Sequence, residues 1–464
     1  MHLTGAVYAE SYIEWAAKAK PELCIDTTTF VISPCDSDRS FSRPPASAAL
    51  TDGVLYQRII DAWSTRSIQI YDRVYDSFGR FGSAGYNRYG DMLAEASSRA
   101  ARNRVSYMEV MLTPDNGKAR VAAAKLAWPT YDQLAAMSKD ELNAFFAKQR
   151  QELLQDGVNG TAQESRATLD QMEARWKQLL NCNDPNRAGA GCKVVVRYIF
   201  QMARAAPLNQ TFAQMVAAME TAKADPRLVG MNLVQAEDTR ASMMNFPMQM
   251  AMLDYINRVK ESEKGYEGAN VTLHAGELAP GLVPPEGLQF HIRDSIRLGH
   301  AKRIGHGVDV MYEDKPYALL KEMADKKIMV EICLFSNEAT LGIRGKDHPL
   351  ELYLKYNVPV ALATDNQGVT RSDMTREFQK AVNEHDLDYP KLKTMARTSL
   401  EHAFLPGAGL WSKTYPVLRA SECAKDRPES GNVSSNCRRF LDKSEKARLQ
   451  WELEKAFAEF EKKY

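Results

Sequence analysis

A parallel α/β barrel is the fold this sequence predicts, and three observations predict it. Short apolar runs recur along the chain, stretches of helical spacing separate most of them, and residues with metal or acid-base chemistry stand at their C-terminal ends. The runs cover residues 105–111, 193–200, 228–234, 271–273, 302–305, 328–332 and 358–363. Helical patterns at 212–224, 248–260, 291–298 and 317–325 fall between them. Strand alternating with helix gives a parallel sheet, and strands this short and apolar suit a barrel covered on its outside. Seven runs can be counted where a (β/α)8 barrel needs eight. The expectation is therefore a (β/α)8 TIM barrel with its first strand truncated.

Outside the strand rhythm the chain is helical and polar. An amphipathic helix is expected at 10–18, then a Ser/Pro stretch at 33–47 and helices at 55–64 and 89–102. From about 115 to 192 charged helical segments (139–155, 163–180) replace the strands. They read as an insertion on the barrel rim, either a lid over the catalytic face or a solvated structural arm. A helical extension follows from about 411 to 464, so residues 1–464 read as one domain with two elaborations.

Composition narrows the partners. With 60 basic and 59 acidic side chains the formal charge is +1, which supplies no field for nucleic acid or an anionic membrane. No apolar run reaches the roughly 18 to 20 residues of a membrane helix. Small molecules are the expected ligands. Six of the seven cysteines form local pairs in turn-rich sequence, Cys24 with Cys35, Cys182 with Cys192 and Cys423 with Cys437. Disulfides are the expectation, against unpaired surface thiols or, for Cys182 and Cys192, a metal site that lacks further nearby ligands. Cys333 follows an apolar run and reads as a buried thiol. Disulfides persist in oxidising compartments, so a periplasmic or secreted protein is expected, and a cytoplasmic one if the chain is used as written.

The chemistry gathers in His274-Ala275-Gly276-Glu277, Arg303-Ile304-Gly305-His306-Gly307 and Thr364-Asp365-Asn366, each following an apolar run. A neutral imidazole from His274 and a carboxylate from Asp365 are ligand types that hold Zn2+ and lower the pKa of a water there. The glycines and Ala275 allow close approach of a metal or ligand to the backbone. Taken singly, Glu277 could be a helix N-terminal acid and Asp365 a turn residue.

Together with His2-Leu3-Thr4-Gly5-Ala6 and Glu331-Ile332-Cys333 with Ser336-Asn337, these motifs resemble, in order, those of the adenosine deaminase family of the metal-dependent amidohydrolases. The local cysteines and the insertion are more similar to the secreted, growth-factor-type members and their bacterial relatives. The resemblance implies one zinc held by His2, His274 and Asp365, and hydrolytic deamination of adenosine or 2'-deoxyadenosine. It implies that Glu277 protonates the purine N1, and that His306 accepts the proton of the attacking water or holds its orientation. Thr4, Gly276 and Asn366 are the implied substrate contacts.

This sequence departs from the family where Asn366 replaces a second aspartate, where Thr4 stands in place of a ribose-binding aspartate, and where residues 233–237 replace a glycine-containing turn. An amidohydrolase acting on another C–N bond, or a catalytically impaired nucleoside-binding or signalling protein, are the alternative readings. The family's first motif is His-x-His, of which His2 would be the second histidine. A further histidine, a strand and an export signal are accordingly expected upstream of Met1. Without them the barrel should be open, poorly stable and weak in zinc, unless a tag or a water fills the fourth metal position.

Overall fold

Seven strands, hydrogen-bonded in the order of the chain, form one parallel sheet: β1 (Tyr107–Leu112), β2 (Val195–Ala203), β3 (Leu228–Val234), β4 (Asn270–Ala275), β5 (Arg303–His306), β6 (Met329–Ile332) and β7 (Val360–Leu362). The computed structural model describes residues 1–35, 42–67, 74–155, 157–414, 417–430 and 432–464. The centre of the Ser/Pro stretch, 36–41, lies outside the described residues. All seven expected strands form, with ends shifted by up to three residues, as expected where hydrogen bonding rather than composition sets the boundary. β4 and β5 are buried along their whole length, and β3 along all but Val234. Helices such as Leu208–Ala224 and Arg240–Ser262 cover the outer face of the sheet. Side chains at their N-termini, including Thr239, Asp373, Asp388 and Ser444, accept backbone amides and fix where the helices begin.

Among the described residues no ladder joins β7 to β1. Met1 and His2 stand between these edges at the C-terminal ends of the strands. The Met111 amide donates to the Met1 carbonyl at 2.9 Å, and the His2 amide donates to the Asp365 carbonyl, just past β7, at 3.3 Å. His2 also forms an isolated parallel bridge with Met111. One residue pair thus touches both edges of the sheet. A cavity of about 1040 Å3 runs along the same seam, walled by Met108, Ile199, Ala361, Leu392 and Phe457 among others.

At the opposite end of the strands the barrel holds charge. Arg303 of β5 pairs with Glu109 of β1 at 2.6 Å and Glu331 of β6 at 2.9 Å, and its guanidinium lies 3.9 Å from the centre of the Phe404 ring. A buried cation is tolerated only with such partners, and Arg303 spans the interior from one side of the sheet to the other.

The insertion is helical, with Lys139–Gln155 and Val158–Leu179 as its long members. The latter packs against Tyr89–Arg102 and Leu208–Ala224 on the outer wall. Trp176 Nε1 donates to Ser97 Oγ at 2.8 Å, and the Tyr198 hydroxyl donates to Glu173 at 3.0 Å.

The C-terminal segment departs from the expected helical extension. It opens with an antiparallel hairpin, Trp411–Thr414 against Val417–Arg419, passes through short 3-10 turns at Ser421–Cys423 and Pro428–Ser430, and becomes α-helical at Ser435–Lys443 and Glu445–Glu461. Trp411 seats this hairpin in a small cluster with Leu410, Leu441 and Trp451, apart from the barrel core. No helix of the described residues is long and apolar enough to cross a membrane.

Cys24–Cys35, Cys182–Cys192 and Cys423–Cys437 are disulfides, and Cys333 is a buried free thiol. Their sequence separations are 11, 10 and 14, short loops for which cross-linking stabilises by about 3 kcal/mol each in the chain-entropy model. Thiol titration of the unreduced protein in denaturant should find one thiol of the seven. Joint replacement of Cys423 and Cys437 by Ser should lower unfolding stability by about that amount, read by calorimetry. An unchanged transition would show that the bridge contributes nothing.

Candidate metal and active site

The strand ends of the barrel deliver the site. His274 is the penultimate residue of β4, His306 the last of β5, and Asp365 lies three residues beyond β7. His306, Asp365 and Gly276 all have positive φ, 72°, 49° and 76°. The chain turns sharply where it leaves each strand and swings the side chains over the mouth. His2 enters from between the sheet edges, and Glu277 follows the Gly276 turn.

Two histidines and a carboxylate meet with their lone pairs facing. The His274 amide and ring Nδ1 both lie 3.0 Å from Asn232 Oδ1. A backbone N–H can only donate, so that atom is an acceptor, and the ring proton must also lie on Nδ1 to use it. His2 Nδ1 is likewise held by Gln201 Oε1 at 2.5 Å. Both rings therefore present unprotonated Nε2 atoms, 3.1 Å apart, with Asp365 Oδ1 3.4 Å from His2 Nε2. Three lone pairs brought this close repel one another unless a cation lies among them. Ligands at roughly 2.0–2.2 Å around a tetrahedral ion stand about 3.3 to 3.6 Å apart, so the donor set fits a metal. The ligand atoms of His2, His274 and Asp365 lie within 4.8 Å of one another, as do those of Glu277, His306 and Asp365.

Electrostatics divides these groups into roles. Burial holds both His2 and His274 below the ordinary imidazole pKa, as neutral ligands must be. Burial pushes Asp365 up, but His2, His306 and the Ser336 hydroxyl, which donates to Oδ2 at 2.7 Å, together carry it below its ordinary value. Glu277 goes the other way. Burial, reinforced by nearby Asp365, raises it to about 7 against the opposing pull of His306. One carboxylate is kept ionised beside one kept protonated, the arrangement that separates a ligand from an acid.

The remaining expected contacts surround this centre. Asn366 donates to Asp365 Oδ2 at 2.9 Å, and its own carbonyl oxygen is buried without a partner among the described residues. The Gly276 amide is already taken by Glu237 at 3.1 Å, and a Cβ at Gly276 would lie 2.4 Å from Asp309. Glycine is needed there for rear packing as much as for approach to a ligand. Thr4 sits half-buried two residues past His2, and its carbonyl accepts the Tyr12 hydroxyl.

Five supporting residues were not anticipated: Gln201, Asn232, Arg204, Glu237 and Tyr75. Arg204 donates to the His274 carbonyl at 2.6 Å, and Glu237 accepts the amides of Gly276 and Glu277, so the pair fixes the turn that carries the acid. The Tyr75 hydroxyl donates to Glu277 Oε2 at 2.8 Å, reaching the site from outside the barrel. Asn232 and Gln201 could have been found as polar residues interrupting apolar runs. Nothing local marks Tyr75.

The family model described as "Adenosine deaminase" matches residues 180–410. A second, described as "Homocysteine S-methyltransferase", matches 10–281. That span omits His306 and Asp365, which the first contains together with His274 and Glu277, so the assembled site agrees with the first; His2 lies outside both. The adenosine deaminase of Clostridium perfringens strain 13 is 36% identical over 138 residues, 30% of this chain and 38% of that protein. That of Salmonella heidelberg is 32% identical over 199 residues, 43% of this chain and 54% of that protein. The matched segment thus spans roughly four-tenths to half the length of these relatives. Among solved structures, adenine deaminase from Arthrobacter aurescens is similar with a TM-score of 0.52 at 15% identity, covering 88% of this chain and 92% of its own. N6-methyl-AMP deaminase from Arabidopsis thaliana gives 0.53 at 18%, covering 87% and 90%. A zinc-bound amidohydrolase from Burkholderia ambifaria gives 0.52 at 14%, covering 87% and 84%. At such identities they support the barrel fold.

Behind the Gly276 turn lies a group whose ionisation the fold resists. Asp309 is buried, neither carboxylate oxygen has a hydrogen-bond partner among the described residues, and burial with nearby Glu237 and Glu313 pushes its pKa well up. Its contribution to stability is complete below the ordinary value of about 3.9 and is lost as pH rises through the raised folded value. Asp309→Asn should therefore gain melting temperature relative to the parent between pH 5 and pH 8. A constant difference across that range would show that Asp309 titrates normally.

Proposed function

We propose that this chain, which belongs to the adenosine deaminase family of the metal-dependent amidohydrolases, is a zinc-dependent hydrolase that converts adenosine or 2'-deoxyadenosine to inosine or 2'-deoxyinosine and ammonia. The observation that carries this reading is the pairing of a lone-pair donor set, His2, His274 and Asp365, with a buried carboxyl at Glu277 whose pKa stands at about 7. Zinc bound by those three residues would lower the pKa of a water at the site toward neutrality.

The remaining steps belong to the chain. Glu277, whose pKa of about 7 keeps about half of it protonated at neutral pH, gives its proton to the ring nitrogen beside the amino-bearing carbon. That removes the aromatic resistance to addition of the water oxygen at that carbon. Tyr75 and the Arg204–Glu237 pair hold the acid in place meanwhile. The water's proton passes to the ionised Asp365 carboxylate and from there to the amino group; the C–N bond breaks, ammonia leaves, and the new hydroxyl returns its proton to Glu277 as the carbonyl forms. Asn366 and Thr4 stand where the purine and sugar would be read, and because both differ from the family pattern the substrate is the open variable. Adenine and N6-methyl-AMP deaminases among the structural neighbours make a free base or a nucleotide the second reading. Ammonia release from adenosine, 2'-deoxyadenosine, adenine and AMP separates the two. The three disulfides support maturation in an oxidising compartment, periplasmic or secreted.

Glu277→Gln should retain zinc yet lose roughly 100- to 10,000-fold in kcat, the range for removing a general acid. Elemental analysis and steady-state kinetics on one preparation test this, and a variant that keeps most of its turnover would remove Glu277 from the mechanism.

A further inference from the structure

A line of hydrogen bonds behind His306 decides which of its ring nitrogens carries the proton. It begins at a group with no ambiguity. The Leu350 backbone N–H lies 3.2 Å from His348 Nδ1 and can only donate, so His348 Nδ1 is the acceptor. His348 is buried, and burial depresses its pKa to about 3, so the ring is neutral and its single proton is on Nε2. That proton points at Asn337 Oδ1, 3.1 Å away. The Asn337 amide group must then face His306, and its nitrogen lies 2.9 Å from His306 Nδ1. An amide nitrogen donates, so His306 Nδ1 accepts. With Nδ1 accepting, the ring proton lies on Nε2, the nitrogen that faces the site 3.7 Å from Glu277 Oε2.

His2 and His274 are set the opposite way, with Nδ1 protonated and Nε2 bare. Of the three imidazoles at the mouth, two offer lone pairs and one offers an N–H. We propose that His348, acting through Asn337, is a positioning residue that locks His306 in the Nε2–H tautomer. His306 then donates a hydrogen bond to the attacking water oxygen and is neither a metal ligand nor the base that takes the water's proton. The orienting role builds on the hydrolytic reading above; the tautomer is independent of it. His348 belongs to neither the metal set nor the acid, and its burial beside the helix Leu334–Leu341, which carries both Ser336 and Asn337, serves this alignment.

The test is a long-range proton–nitrogen correlation spectrum of the full chain with ring-15N histidine, in which the eight histidines are observed and His306 is identified by its loss in His306→Asn. The expected pattern has His306 protonated at Nε2 and bare at Nδ1. A proton on Nδ1 in the parent protein, as metal ligation through Nε2 would require, overturns the proposal. In Asn337→Asp the carboxylate cannot donate, so His306 Nδ1 should gain a proton, and a spectrum in which Nδ1 stays bare also overturns it. The same substitution should lower kcat about 10- to 100-fold, the usual size of such outer contacts, with KM little changed. Absence of deamination in the parent protein would refute the functional reading while leaving the tautomer to be decided by the spectrum.

Discussion

Residues 1 and 2 touch both edges of the sheet, and the site depends on that contact. The Met1 carbonyl accepts from β1, the His2 amide donates to the carbonyl of Asp365 beyond β7, and the His2 ring then falls beside His274 from the middle of the barrel. Two backbone hydrogen bonds thus bring ligands 363 positions apart in the chain to within 3.4 Å. The seam itself carries no continuous ladder, so at the mouth these two bonds hold the edges of the sheet in mutual register.

The two ends of the barrel meet the cost of buried charge differently. At the N-terminal end Arg303 is flanked by Glu109 and Glu331 and covered by Phe404, so that one guanidinium is shared by two carboxylates. At the C-terminal end Asp365, Glu277, Glu237 and Asp309 are buried together, and Arg204 is the cation paired with Glu237. At one end a cation meets the carboxylates directly; at the other an excess of carboxylate is what a metal ion and a proton on Glu277 would relieve.

Much of this was legible in the sequence, for a physical reason. A strand buried on both faces has to be apolar over most of its length, so 228–234 and 328–332 announced themselves despite Asn232 and Glu331, and ligands had to follow them because the strand ends open on the mouth. The cysteine pairs were legible because loop closure over 10 to 14 residues is local. What could not be read was set by distant partners. Within the run 302–305 nothing marks Arg303 as a buried cation until Glu109 and Glu331 are brought around it, and the hairpin at Trp411 looks helical until a separate cluster takes in its indole. Tyr75 meets Glu277 across 202 positions, with no periodicity to mark it.

The choice of carboxamides behind the metal-facing imidazoles follows from this crowding of acids. A ligating histidine commonly donates its second N–H to a carboxylate, which raises ligand basicity and strengthens binding. Here Gln201 and Asn232 do that work without charge. A carboxylate at either position would add a negative charge to a pocket that already contains Asp365, and would push Glu277 further up from about 7. An acid held too tightly protonates poorly, because proton transfer is most effective when the donor's pKa lies near the working pH. Neutral amides fix the ring tautomers by geometry alone, leaving the pocket's charge to tune the acid, so metal geometry and acid strength are set by separate residues on the same barrel mouth.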